Sequence, residues 1–338
     1  MARVATCVAP REVRVIETDI SQMDATSIKI KTLYSGISTG TEMAAYRGTS
    51  PLSRFDEDRR LFVKDAVPLS YPLSYAYESV GEVVEVGDGV GRFKVGDLVG
   101  TLWGHQDIYV IGEGDTYLLD RNMDPRRGVF LALGGVALNG ILDGAINLGE
   151  TVVIFGLGVI GQMLVQMLRM SGATTIVAVD PIGARRELAR RAGADVLIDP
   201  SATKDVAAQV RETTENRGAD VAFEASGASA ALHEAIRTVG YDGKVVAMSF
   251  YQGESRGLFL GEEFHFNRVR VISDQGGRTS PALPLWSIKR ARETICRLLP
   301  KLDLDGMITH EFPFEKAADA YRLLDERREQ ALQVILKY

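Results

Sequence analysis

The hexapeptide GLGVIG at residues 156–161 constrains this 338-residue chain more than any other stretch. It has the spacing G-x-G-x-x-G and stands between a short apolar run, TVVIF, and the amphipathic run VIGQMLVQMLRM. The first run reads as a buried parallel strand. In the second, Val159, Ile160, Met163, Leu164, Met167 and Leu168 fall near one face of a helix. In a strand–turn–helix of this kind Gly156 permits the tight turn and Gly158 lets a backbone approach a pyrophosphate. Gly161 permits close packing of helix on strand. Free N–H groups and the positive dipole end at the helix start favour phosphate. Gly156, Leu157, Gly158, Val159, Ile160 and Gly161 are therefore the candidate phosphate loop of a dinucleotide site.

A second strand, TIVAVD, ends at Asp180, 19 positions beyond Gly161, and a ribose-binding acid is expected about 20 residues past such glycines. A carboxylate there accepts from the adenosine hydroxyls and repels a 2′-phosphate, which favours NAD over NADP. Arg185 and Arg186 stand nearby and offer the alternative, a seat for that phosphate. A plain helix cap at Asp180 is a further reading. Strands and helices go on alternating through VLID, KDVAAQVRETT, DVAFEAS, ALHEAIRTV, KVVAMSF and VRVISD. That alternation implies right-handed crossovers and a doubly wound parallel sheet of the Rossmann kind. Ligands bind at the strand C-termini of such sheets. Ser226 and Gly227 after the fourth strand, Ser249 and Phe250 after the fifth, and Ser273 ending the sixth thus join the cofactor-binding set.

The chain is too long for one typical core, so two domains are the default. Residues 1 to 123 are β-rich: SIKIKTLY alternates with period two, and ESVGEVVEVGDGVGRFKVGDLVGTLW is valine-rich with Gly-Asp turns. The charged insert TSPLSRFDEDRRLFVKDAVPLSYP (49–72) reads as a surface excursion of loop and short helix. Its Arg54, Arg59, Arg60 and Lys64 are candidates to meet an acidic substrate. The Rossmann domain is placed at 124–275 and a C-terminal segment at 276–338. In that segment WSIKRARETICRLLPKL and EFPFEKAADAYRLLDERR read as helices and ALQVILKY as a final strand. A formal charge of −6, with no block of like charges, argues against nucleic-acid binding. Cys7 and Cys296 make neither a disulfide framework nor a zinc spacing. No apolar stretch approaches a membrane span and MARVATCVAP lacks a signal core. The expectation is a cytoplasmic protein that takes a small-molecule substrate and binds no nucleic acid and no membrane.

Residues 35–42, SGISTGTE, crowd two serines, two threonines and a glutamate into what reads as a glycine-broken turn before the helical MAAYRG. Turn chemistry alone accounts for such residues; an active site is the other reading. The segments YESVGEVVEVGDGVGRFKVGDLV (77–99), ETVVIFGLGVIG (150–161), the D…R…A…GAD pattern from Asp180 to Asp195, and ITHEFPFEKAADAYRLL (308–324) bear on the choice. Together they resemble the medium-chain dehydrogenase/reductase superfamily of zinc-type alcohol dehydrogenase-like proteins, over nearly the full length. The resemblance implies an α/β protein, with a Rossmann doubly wound parallel sheet plus a GroES-like β-rich catalytic domain to which the C-terminal segment returns. It also implies a homodimer or homotetramer assembled through Rossmann sheets, with VRVIS as a candidate edge. Locally, SGISTGTE and YPLSYAYESVG are similar to the zinc-free dehydrogenase that oxidises the 3-hydroxyethyl group of bacteriochlorophyllide.

Zinc-dependent members of the superfamily carry a cysteine ligand in a G-I-C turn and a histidine ligand in G-H-E. This chain has Gly36-Ile37-Ser38 and Ala76-Tyr77-Glu78, and no ligand type between Val129 and Leu138, where the third ligand falls. A catalytic zinc needs about three protein ligands, so no metal is expected. The resemblance then puts Ser38 and Tyr77 at former ligand positions, facing the nicotinamide. Hydride transfer is the cofactor's chemistry, and the protein must orient the alcohol and take its proton. Tyr77 is the first candidate acid/base, which requires neighbours that lower its ordinary pKa of about 10. The alternative is that it fills the volume zinc leaves. Ser38, Thr39 and Thr41 are candidates to hold the substrate oxygen or the nicotinamide ribose, and Glu78 to polarise the site. Glu42 is the alternative base, or else a structural ion-pair partner. His105 is a candidate at the substrate rim or in the framework, while His233, His265 and His310 lie in helical, coil and terminal contexts without a role. The expected activity is zinc-independent, NAD-dependent oxidation of a secondary alcohol in a polyol, sugar or cyclitol. The alternatives are an NAD(P)H-dependent reductase of activated C=C bonds or quinones, and a non-catalytic nucleotide-binding redox sensor.

Overall fold

A computed structural model of the chain describes residues 1–51, 54–63, 69–275 and 284–338. The chain begins with β1 (Ala2–Ala9), β2 (Glu12–Thr18), β3 (Ser27–Ile37), α1 (Thr41–Arg47), β4 (Phe55–Asp56), β5 (Leu61–Phe62), β6 (Ser79–Val86), β7 (Leu98–Thr101), β8 (Ile108–Gly112) and β9 (Thr116–Leu118). It continues through α2 (Leu131–Gly144), β10 (Thr151–Phe155), α3 (Val159–Met170), β11 (Thr175–Val179), α4 (Gly183–Arg191), β12 (Val196–Ile198), α5 (Val206–Glu212) and β13 (Ala219–Glu224). Next come α6 (Ser229–Thr238), β14 (Val239–Ala247), α7 (Glu263–Phe266), β15 (Arg270–Ser273), α8 (Ile288–Leu298), β16 (Ile308–Pro313), α9 (Ala317–Glu326) and β17 (Gln333–Lys337). Two compact units result, Met1–Ala132 with Cys296–Tyr338, and Leu133–Ile295.

The discontinuous unit is built on a sheet of order β16-β17-β3-β6-β7-β9, with β8 also paired to β3. The period-two pattern of β3 sends Ile28 and Ile30 inward, both fully buried, against Val83, Phe93, Val99 and Tyr109. Ile37, Met43, Tyr46, Phe314, Tyr321, Leu324, Val334 and Leu336 share a second core in the same unit. Each such side chain contributes about 1.5–3 kcal/mol by leaving water.

Pairing with β17 changes the reading of the SGISTGTE stretch. Tyr34 to Ile37 run antiparallel to Val334–Lys337, so SGI is strand and TE opens α1, leaving Ser38–Gly40 as the turn. The stretch EFPFEKAADAYRLLDERR likewise divides into β16 and α9 instead of forming one helix. Partnered by β17, the Ile308–Pro313 segment has its backbone groups satisfied as strand. The insert carries the small β4–β5 hairpin with Arg54, Arg59 and Arg60 exposed; Lys64 lies outside the described residues.

The second unit is a six-stranded sheet of order β12-β11-β10-β13-β14-β15, parallel throughout. All five residues of β10 are buried, as expected for a strand covered on both faces. The order reverses between β10 and β13, which is the switch point where such sheets take ligands. His265 lies in the one-turn helix α7, not in coil. Among the described residues no helix is long and apolar enough to cross a membrane.

The glycines after β10 are required by contact. Gly156 has φ +90°, and a Cβ there would stand 2.7 Å from Ser226 N; one on Gly161 would stand 2.0 Å from Gly156 O. Gly158 has nothing within 4 Å of the same point. We expect Gly161→Ala to lower Tm by several degrees, since overpacking costs about 1–3 kcal/mol and each kcal/mol shifts Tm by about 2–4 °C. Gly158→Ala should leave Tm nearly unchanged. Equal Tm values for the two variants, measured by differential scanning calorimetry, would contradict the packing role of Gly161.

Candidate active site

Glu42 opens α1 and is 2% exposed. Its Oε1 accepts from His105 Nε2 at 2.9 Å and from the Tyr321 hydroxyl, and its Oε2 accepts from the Ser38 N–H at 3.2 Å. His105, on the loop between β7 and β8 and equally enclosed, has Nδ1 2.7 Å from Ser35 Oγ, which lies 2.8 Å from the Tyr338 hydroxyl. Opposite a carboxylate, Nε2 is assigned the proton. Nδ1 then accepts from Ser35, and Ser35 from Tyr338, so each link has one donor and one acceptor. A buried carboxylate needs this supply of donors, because an unpaired one costs several kcal/mol. Burial, aided by Glu42, pushes the Tyr321 phenol well above its ordinary pKa, so it keeps the proton it donates.

The hydroxyls of the turn form a second cluster. Ser38 Oγ lies 2.6 Å from the Tyr77 hydroxyl, and the Thr41 side chain bonds the same phenol. Thr39, in the turn itself, is half-buried. Burial pushes the Tyr77 pKa up, with the carboxyls of Glu78 and Glu42 adding to it, while Ser38 and Thr41 oppose. The lowering that a tyrosine base requires is therefore not what these neighbours produce; they keep Tyr77 a proton-bearing phenol.

Glu78 faces another way. It is 2% exposed, and its Oε2 accepts from Gln333 Nε2 at 3.2 Å while Oε1 has no partner. Gly36 makes room for this pair, since a Cβ there would stand 2.2 Å from Glu78 Oε2 and 2.7 Å from Gln333 Nε2. Burial first, then Glu42, raises the Glu78 pKa well above the carboxylate range. Its carboxyl is therefore biased toward the protonated form.

In the parallel-sheet unit the glycine loop fits a pyrophosphate. The space at Gly158 is open and Gly158 is the N-cap of α3, whose first residues are Val159 and Ile160. Asp180 is 4% exposed; Oδ2 accepts from the Leu157 N–H and Oδ1 from the Ile182 N–H, both at 2.8 Å. The acid thus fastens the glycine loop to the end of β11, and each oxygen keeps a lone pair for a ribose hydroxyl. Ile182, not Asp180, is the N-cap of α4. Arg186 pairs with Asp199 at 2.9 Å and donates to the Asp180 carbonyl, whereas Arg185 is half-buried in the same first turn. Ser226, Gly227, Ser249, Phe250 and Ser273 stand at or just beyond the ends of β13, β14 and β15, Gly227, Phe250 and Ser273 being exposed. Sequence reasoning missed Ser35, Tyr321, Gln333 and Tyr338 as partners of the first unit's acids. Ser35 sat inside the quoted turn; the other three carried no local signal.

Among the described residues no three His, Cys, Asp or Glu side chains gather so as to hold a metal ion. At the two positions where the resemblance places zinc ligands, Ser38 and Tyr77 bond each other. This donor set does not fit zinc.

Residues 159–286 match the zinc-binding dehydrogenase family. D-guloside 3-dehydrogenase of Escherichia coli (strain K12) is 29% identical over 341 residues, covering 96% of this chain and 97% of that protein. (R,R)-butanediol dehydrogenase of Bacillus subtilis (strain 168) is 29% identical over 288 residues, covering 77% of this chain and 79% of its own. The crystal structure of 2R,3R-butanediol dehydrogenase from Bacillus subtilis superposes with a TM-score of 0.80 over 100% of both chains at 21% identity. Both curated relatives are dehydrogenases by name, and the likeness in sequence runs over most of the chain. The fold is the anticipated one, α/β, with a Rossmann sheet and a GroES-like β-rich unit.

The raised pKa of Glu78 gives stability a pH dependence of known sign. Its folded pKa exceeds the unfolded one of about 4.3, so the folded state binds the proton more tightly. Stability from this group is complete below the unfolded pKa and is lost as pH rises toward the folded value. Glu78→Gln, which keeps the shape and carries no charge, should raise Tm at pH 8 by several degrees, with the gain vanishing near pH 4. A gain that is the same at both pH values would contradict a raised pKa at Glu78.

Proposed function

We propose that the protein oxidises a secondary alcohol of a polyol, sugar or cyclitol by hydride transfer to NAD, without zinc. The observation that carries this reading is the Ser38–Tyr77 hydroxyl pair, 2.6 Å apart, standing where zinc ligands stand in the resemblance and backed by Glu42 and His105. Two relatives that cover most of the chain are named for the oxidation of a sugar derivative and of a diol, and the hydroxyl-rich turn suits such substrates.

NAD, when bound, supplies the hydride acceptor. Gly156 to Gly161 and the start of α3 hold its pyrophosphate, and Asp180 its adenosine ribose. Asp180 favours NAD over NADP, and Arg186, already paired with Asp199, is drawn away from a 2′-phosphate. Ser38, Thr41 and Tyr77 bind the substrate oxygen. The alcohol proton is assigned to Glu42, whose carboxylate holds the backbone amide of Ser38. Thr39 lies in the turn beside them, and His105 orients Glu42.

The phenol kept protonated at Tyr77 favours one other reading. A tyrosine that holds its proton suits an acid, and so an NAD(P)H-dependent reductase of activated C=C bonds or quinones. For assembly we infer a homodimer or homotetramer in which β15, the last strand of its sheet with Val271 42% exposed, is the paired edge.

The test is NADH production, followed by its near-ultraviolet absorbance, from EDTA-treated protein with NAD and a panel of polyols, sugars and cyclitols. Turnover in EDTA is expected, and Tyr77→Phe should lower kcat about 100-fold with little change in KM, the usual scale for a positioned acid or base. Activity lost in EDTA and restored by zinc would sink the metal-free reading. Silence with every alcohol, with NAD(P)H consumed by enones or quinones, would favour the reductase.

A further inference from the structure

Glu224 closes β13, is fully buried, and has no part in the cofactor contacts assigned above. Its Oε1 accepts from the Ser226 N–H at 2.7 Å, from Ser226 Oγ and from the Gly227 N–H at 3.2 Å. Its Oε2 accepts from the Tyr251 hydroxyl. Tyr251 lies past the end of β14, and Ser249 just before it donates to the Glu224 carbonyl at 3.4 Å. Burial, with Glu224 next in importance, pushes the Tyr251 phenol up, so it stays a donor. One carboxylate thus ties the turn after β13 to the loop after β14.

The tied turn abuts the glycine loop. The Ala225 N–H donates to Phe155 O at 2.8 Å, and the Cβ that Gly156 lacks would stand 2.7 Å from Ser226 N. The turn is therefore one wall of the crevice between β10 and β13, the switch point of the sheet. In a doubly wound dinucleotide fold the strands on the glycine-loop side carry the adenosine half, and those from β13 onward carry the other.

We propose that Glu224 and Tyr251 are positioning residues for the nicotinamide half of the dinucleotide, through the Ser226–Gly227 turn. The inference rests on the dinucleotide reading above. A turn held to a buried carboxylate by two amides and a hydroxyl is ordered before the ligand arrives, so binding does not have to order it. Without Tyr251, Oε2 loses its strongest donor and the loop after β14 its anchor.

The experiment is calorimetric titration of the full chain, wild type, Tyr251→Phe and Glu224→Gln, with NADH and separately with ADP. ADP fills the adenosine half alone, so the ratio of the two affinities reads the other half, which general loosening of the fold would not change. We expect both variants to weaken NADH about five-fold or more, while the Kd for ADP stays within about two-fold. If NADH and ADP weaken together, or neither does, the positioning role is overturned. Tyr251→Phe removes one oxygen and decides the matter alone should Glu224→Gln fail to fold. A wild type that binds neither NADH nor NADPH would overturn the dinucleotide reading itself, an outcome distinct from unaltered variants of a binding-competent protein.

Discussion

The carboxylate of Glu42 is the interaction on which the β-rich unit depends. It draws donors from the turn after β3, from the loop between β7 and β8, and from α9. Removing one partner of such a buried charge typically costs about 3–5 kcal/mol, because the charge remains without its compensation. The same carboxylate fixes the Ser38 backbone, and Ser38 in turn fixes the Tyr77 hydroxyl. These two hydroxyls therefore stand where they do because a residue four positions on from Ser38, already in α1, reaches back to hold its backbone.

Enclosure by itself does not decide what an acid does here. Glu42 and Glu78 are equally hidden, at 2% exposure each. One receives three hydrogen bonds and the other receives one, from Gln333, with an oxygen left over. Burial accordingly raises the pKa of Glu78 well above the carboxylate range. The parallel-sheet unit repeats the generous case twice. Asp180 and Glu224 each turn their oxygens to backbone N–H groups of the loops beside them. Acids at the ends of β11 and β13 thereby shape the ground on either side of the glycine loop.

The parallel-sheet unit was legible in the sequence because its signals are local. Strand, glycine loop, helix and Asp180 follow one another within thirty residues, and their packing reproduces that order. The β-rich unit was legible in kind and less so in detail. The end of β3 reads as a turn because its partner, β17, lies at the far end of the chain. His105 and Glu42 were each candidates, but they are 63 positions apart and nothing in either segment announces the pairing. Tyr321 and Tyr338 are 279 and 303 positions from the groups they bond. The placement of Tyr77 beside Ser38 came from resemblance; its protonation state could not, because that follows from burial and from two neighbouring carboxyls.

The discontinuity of the first unit carries a consequence for how the molecule is made. Leu133–Ile295 is one uninterrupted stretch and can condense as soon as it leaves the ribosome. The sheet of the other unit, by contrast, waits for β16 and β17, which are synthesised after that entire stretch. Until then the Tyr34–Ile37 edge of β3 has no partner, and the acid of α1 lacks its hydroxyl from α9. The parallel-sheet unit is thus complete in sequence before the β-rich unit is. Arrest or cleavage ahead of the last strand would leave a folded parallel-sheet unit attached to a half-sheet with an open, adhesive edge.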